Sequence, residues 1–143
     1  GIEVRGAVLE RVKSADALVM AAAVADYRPS TEAGQKIKKD ADVMTIDLAK
    51  TIDILASANG DFVKVGFSAE SQDLVENAKI KVKSKGLDLI VANDITEPES
   101  GFGADTNRVT FIDRNLRVEE LPLLPKYDVG NRILDRVKDL FRP

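Results

Sequence analysis

The chain has 143 residues, 44% hydrophobic and 31% charged, which suits one ordinary domain and is too short for two cores. Its 21 basic and 24 acidic residues leave a net charge of −3, without the basic surplus of a general nucleic-acid binder. Cys and His are both absent, which excludes disulfides, Cys/His zinc sites, thiol nucleophiles, Ser–His triads and imidazole bases from this chain.

Val4, Val8 and Val12 recur every fourth residue among charged neighbours and predict an amphipathic helix over 3–14. Residues 17–24 are continuously apolar, the pattern of a strand buried on both faces, and the run stops at Asp26-Tyr27-Arg28-Pro29-Ser30. Residues 30–42 are polar and Lys-rich and read as a long loop. Met44, Ile46 and Leu48 alternate with Thr45 and Asp47, predicting a strand with one buried face. A short helix follows over 51–58, with Asn59-Gly60 as its stop. Residues 62–67 read as a strand. Residues 71–85 read as a helix whose acidic start (Asp73, Glu76) and lysine-rich end match the helix dipole. Another strand spans 87–92, then Pro98, Gly101 and Gly103 mark a second long loop. Residues 109–112 and 116–121 flank Asp113-Arg114-Asn115 as a hairpin, and Val129, Ile133, Val137 and Phe141 stripe a closing helix.

This alternation predicts an α/β fold: a mainly parallel open sheet with helices on both faces, Rossmann-like, with a late antiparallel hairpin at one edge. No apolar run approaches the ~20 residues that cross a bilayer, and no signal-peptide pattern opens the chain. No membrane partner is expected.

In open α/β sheets ligands sit beyond the carboxyl ends of the parallel strands. Three predicted strands end there in polar residues: Asp26, then Ser68 and Glu70, then Asn93 and Asp94. Ala21-Ala22-Ala23 would let a ligand approach the backbone, or would accommodate a packed helix. Lys36, Lys38 and Lys39 put three cations on one loop, suited to phosphoryl oxygens or, as readily, to bulk water. Lys81 and Lys85 share a helical face, where they serve a ligand or complement the dipole. Asp26 suits a magnesium ion or a base amine, or caps its own loop, and Asn93 binds ligand or makes the turn. Neither a G-x-x-x-x-G-K-[ST] loop nor a G-x-G-x-x-G turn after a strand is present. A nucleotide here would meet scattered loop residues.

Five stretches then stand in register: Ala22-Ala23-Val24-Ala25-Asp26-Tyr27-Arg28-Pro29, Lys36-Ile37-Lys38-Lys39, Val65-Gly66-Phe67, Val91-Ala92-Asn93-Asp94-Ile95, and Gly101-Phe102-Gly103-Ala104-Asp105-Thr106-Asn107. Their order and spacing, over roughly residues 15–140, resemble the bacterial phosphopantothenoylcysteine synthetase family. The resemblance implies a cytoplasmic, homodimeric phosphopantothenate–cysteine ligase of coenzyme A biosynthesis. CTP, with Mg2+, activates 4′-phosphopantothenate as an acyl-cytidylate, which L-cysteine then attacks. FMN enters only where a flavin-dependent decarboxylase is fused upstream. By the same resemblance Lys36 stabilises charge during cytidylate formation. Met20, Ala21, Ala22, Asp26, Ile52, Asp53, Ile54, Leu55, Val63, Lys81 and Lys85 bind the nucleotide, and Asp26 holds the metal. Lys38, Lys39 and Asn93 stand on the substrate rim.

The sequence departs from that pattern at Thr51-Ile52, where Asn-Pro is common, and at Gly66-Phe67-Ser68-Ala69-Glu70-Ser71, where Gly-Phe-Ala-Ala-Glu-Thr is commoner. The family's upstream first strand and Ser-Asn-x-Ser-Ser-Gly-x-x-Gly motif have no match. Residues 1–143 are therefore expected to be one domain, the carboxy-terminal portion of a synthetase domain, with little or no activity alone. Two other classes stay open: a nucleotide-binding or dimerisation module without catalysis, and a fragment of a Rossmann-type oxidoreductase.

Overall fold

In a computed structural model the structure describes residues 2–31, 34–35, 42–96 and 103–141. The elements in chain order are α1 (Ile2–Arg11), continued by a 3-10 turn (Val12–Ser14), then β1 (Ala17–Met20), β2 (Tyr27–Pro29), β3 (Leu48–Lys50) and α2 (Ile54–Ser57). They continue as β4 (Val63–Glu70), α3 (Leu74–Lys85), β5 (Leu89–Asp94), β6 (Thr106–Asn107), β7 (Val109–Asp113), β8 (Val118–Glu120), β9 (Leu124–Pro125) and α4 (Lys126–Leu140).

Five strands make the main sheet, in the order β1-β4-β5-β7-β8. β1, β4 and β5 run parallel, with Val19 opposite Val65 and Phe67 opposite Val91. β7 then runs antiparallel to β5, and β8 antiparallel to β7. The fold is α/β, with helices on both faces and the hairpin at one edge.

Alternation along the strands builds two cores. Val63 and Val65 of β4, with Leu89 and Val91 of β5, face Val129, Ile133 and Val137 of α4. On the other face Ile90, Ala92 and Ile112 meet Ala78 and Val82 of α3 and Leu55 of α2. α3 ends where Gly86 turns left-handed at φ +61°, its N–H donating to the Val82 carbonyl. Glycine takes that conformation without the steric cost of a side chain.

Gly66 sits under both neighbouring elements. A methyl group there would lie 2.8 Å from Leu55 Cδ2 and 2.9 Å from Leu87 Cδ1. The missing side chain is what lets α2 and the α3–β5 connection close over β4.

Several sequence expectations are corrected. The apolar run of 17–24 is a strand only over Ala17–Met20 and lies at the sheet edge, where Val19 is 41% exposed. Its hydrophobicity reads as a central strand, but within the main sheet it pairs on one side only. Met44, Ile46 and Leu48 do not bury a face; β3 pairs instead with β2 in a separate two-stranded ribbon on which Tyr27 is exposed too. The helix at 51–58 shrinks to α2, and its C-cap is Ala58 in an extended conformation, ahead of Asn59-Gly60. On α4 the inner stripe closes with Leu140 and leaves Phe141 half exposed. The small β6–β9 pair carried no sequence signal. Most of the predicted loop at 30–42 and of the one around 98–103 lies outside the described residues. Among the described residues no helix is long and apolar enough to cross a membrane.

Gly66→Ala is expected to cost about 1–3 kcal/mol through overpacking against Leu55 and Leu87. The urea midpoint of the variant should fall with an unchanged slope; an unaltered midpoint would show that the two leucines move aside freely.

Candidate functional site

A cleft of about 550 Å³ opens where β1 and β4 end. Because β1 stops at Met20, Ala21, Ala22 and Ala23 continue as exposed backbone along its wall. Thr51 ties the next segment down: its N–H donates to the Asp26 carbonyl at 2.7 Å and its hydroxyl to that of Ala25 at 2.6 Å. These two bonds bring Ile52, Asp53, Ile54 and Leu55 to the cleft beside Asp26.

Two lysines from α3 form the opposite wall, one helical turn apart, and each is held by a carboxylate from another element. Lys81 Nζ lies 2.5 Å from Glu70 Oε1 at the end of β4, where the Glu70 side chain is only 9% exposed. Lys85 Nζ lies 2.8 Å from Asp53 Oδ2. Asp53 is also the N-cap of α2, its side chain accepting from the Ala56 N–H at 3.0 Å. Burial pushes the Asp53 carboxyl upward. The Lys85 hydrogen bond, the Ala56 N–H and the Lys85 charge outweigh that, so it titrates below its ordinary value of 3.8.

Behind this wall the buried Lys64 donates from Nζ to the Lys85 carbonyl at 3.4 Å. Asp88 Oδ2 accepts from the Lys64 N–H at 2.8 Å. These bonds pin the carboxyl end of α3, and hence Lys85, to the sheet. At the end of β5 the Asp94 carboxylate accepts from the Thr96 hydroxyl and N–H, which lowers its pKa.

Of the residues expected at a site, Met20, Ala21, Ala22, Asp26, Ile52, Asp53, Ile54, Leu55, Lys81, Lys85 and Asn93 line this one cleft. Val63 does not. It sits at the opposite end of β4, buried in the core beneath α4, because odd-numbered positions of that strand face that helix. Lys36, Lys38 and Lys39 lie outside the described residues. Among the described residues no group of three or more acidic side chains gathers as a cation cage around Asp26. Thr51, Phe67, Asn107 and Lys126 also line the cleft and were not anticipated. For Phe67 and Ser68 the strand-end rule was signal enough; Asn107 and Lys126 arrive through the β6–β9 pair, which no pattern announced.

A second cleft, about 350 Å³, lies between β7, β8 and α4 and includes Asp113, Arg117, Glu119 and Arg136. Its Arg136 and Glu119 already pair with each other. It is remote from the parallel strand ends.

Residues 2–141 match the family model of the DNA/pantothenate metabolism flavoprotein C-terminal domain. The chain belongs to that family. It is 41% identical over 141 residues to the coenzyme A biosynthesis bifunctional protein CoaBC of Bacillus subtilis, covering 96% of this chain and 35% of that protein. It is 37% identical over 142 residues to a cysteine/cysteine sulfinic acid decarboxylase of an unknown prokaryotic organism, covering 96% of this chain and 40% of that protein. Among solved structures, the C-terminal domain of a CoaBC superposes with a TM-score of 0.77 at 31% identity, over 98% of this chain and 62% of that one. The chain thus spans between about a third and two fifths of the length of these curated relatives.

The comparisons overturn the synthetase reading. The family is described as a flavoprotein domain and one relative is named a decarboxylase. The assignment to phosphopantothenoylcysteine synthetase and the phosphopantothenate–cysteine ligase activity are withdrawn. So are CTP with Mg2+ as co-substrate and cofactor, the partner set of CTP, 4′-phosphopantothenate and L-cysteine, and the restriction of FMN to a domain fused upstream. The physical reason is that the motifs report a cleft shape, an alanine-lined approach facing paired lysines. That shape does not choose a reaction.

The lowered pKa of Asp53 sets a pH dependence. On acidification the unfolded chain protonates this carboxyl first, so its contribution is complete above pH 3.8 and fades as pH falls through the folded value. Asp53→Asn keeps the cap and loses the charge. Because the Asp53 side chain is 43% exposed, screening holds the difference to about 0.2–1 kcal/mol. Urea titrations of wild type and variant should differ most near neutrality and converge in acid.

Proposed function

We propose that this domain is a nucleotide-binding module within a coenzyme A biosynthesis protein, its strand-end cleft taking a phosphorylated, ring-bearing small molecule. The observation that carries the reading is the pair Lys81 and Lys85, each fixed by a carboxylate and turned toward an alanine-walled approach. Lysine heads act as point charges on phosphoryl oxygens, while Met20, Leu55 and Phe67 supply apolar surface for a flat ring.

Flavin mononucleotide is the member of this ligand class that the family's description favours, and the lining fits its two ends: Lys81 and Lys85 for the phosphate, Phe67 and the alanine wall for the ring. A bound flavin supplies electron-accepting ring chemistry. The chain's own residues bind and orient. The charged side chains lining this cleft are Asp26, Asp53, Lys81, Lys85 and Lys126. The name of the decarboxylase relative supports decarboxylation as the reaction of the whole protein. A cytoplasmic location goes with such a role.

The test is a binding panel: FMN, nucleoside phosphates and inorganic pyrophosphate against riboflavin and unphosphorylated nucleosides. The chain has no Trp, so flavin fluorescence reads binding without a tryptophan background. Phosphorylated members should bind and their unphosphorylated counterparts should not, and Lys85→Met should weaken binding about tenfold or more. Equal binding of both sets, or binding of neither, overturns the reading.

A further inference from the structure

Even-numbered positions of β4 face α2 and α3, and all but one are accounted for inside the fold. Lys64 donates to the Lys85 carbonyl, Gly66 makes room for Leu55 and Leu87, and Glu70 holds Lys81. The remaining position is Ser68, which lines the cleft. Its hydroxyl is shielded from solvent and has no hydrogen-bond partner among the described residues. Buried polar groups are paired in the great majority of cases, so an orphan at a cleft floor marks a place where a partner arrives.

The neighbourhood says what kind of partner. Along a strand, residues two apart stand about 7 Å from each other on the same face, so Ser68 and Glu70 share a face of β4, and Ser68 lines the same cleft as the Lys81 that Glu70 holds. The lysine head is a donor with no acceptor, and the serine O–H is a donor too. One oxygen with several lone pairs satisfies both at once, and a phosphoryl oxygen is that acceptor.

We propose that Ser68 is a ligand-contacting residue, donating its hydroxyl to a phosphate oxygen to which the Lys81 ammonium also donates. This rests on the reading that the cleft takes a phosphorylated ligand. Ser68 thereby contributes to choosing phosphate over a bare ring.

Ser68→Ala tests it, because the change removes one oxygen and fills the same space. Calorimetry on the full chain would use inorganic pyrophosphate and FMN as probes, alongside the melting temperature without ligand. The variant should bind both probes about 5–50-fold more weakly, with an unliganded melting temperature equal to or above that of wild type. A lower melting temperature would assign the hydroxyl a role inside the fold and overturn the proposal. Unchanged affinity for either probe in a wild type that binds both overturns Ser68's role and leaves the cleft reading intact. Failure of the wild type to bind either probe removes the phosphate ligand and this proposal with it.

Discussion

Gly66 controls how closely the layers approach on the ligand-bearing side of the sheet. Leu55 and Leu87 occupy the volume that a β-carbon would take. That close approach brings α2 down onto β4 and against α3, and α2 carries Asp53 at its start. Asp53 then meets Lys85, and Lys85 stays there because its carbonyl is held by Lys64 from the strand beneath. A side chain at position 66 would lift α2 and undo the pairing from below. The site's geometry therefore depends on a packing contact that itself contains no polar atom.

Electrostatics then decides how the cleft is poised. Both α3 lysines at the cleft, Lys81 and Lys85, have a carboxylate partner, so their charges are balanced within the wall. The two pairs differ in burial. Glu70 is nearly enclosed, and removing its partner would leave a charge in a water-poor place, an expensive state. Asp53 is more open and is also occupied in capping α2, so its pair with Lys85 is screened and cheaper to exchange. Lys81 is thus the fixed cation and Lys85 the adjustable one.

How far this was legible in the chain differs from element to element. The parallel core, the flanking helices and the edge hairpin followed from alternation alone, and the strand-end rule took Asp26, Ser68 and Asn93 to one rim. The edge position of β1 was not legible, because an apolar run reports burial on average and not which strand lies alongside. Met44, Ile46 and Leu48 show the same limit: period-two alternation predicted a strand there, but only Leu48 falls in one, β3, and no layer covers the three side chains. Val63 was misplaced because its role came from a resemblance, while its side chain follows the strict alternation of β4 into the core. The motifs located a cleft but pointed to the wrong family. They did not identify a ligand, because alanines and lysines recognise shape and charge shared by many phosphorylated molecules.

Consider the exchange a ligand must make. On the proposed reading, a phosphate at the lysines would replace carboxylate oxygens with phosphoryl oxygens around the same ammoniums, trading charge-assisted hydrogen bonds of similar strength. Such a swap yields only part of the affinity, and the displaced carboxylates must find other partners. Asp53 retains the Ala56 N–H and solvent; Glu70 has less of either and so keeps its grip on Lys81, whose remaining N–H donors stay directed at the ligand. The gain then comes from contacts that exist only in the complex. Apolar cover by Phe67 and Leu55 is one, and a donor that was unpaired before binding is another. A group that has lost its water on folding and recovers a partner on binding adds affinity without a competing bond to break, which makes the unpaired hydroxyl at the cleft floor a better source of selectivity than the lysines above it.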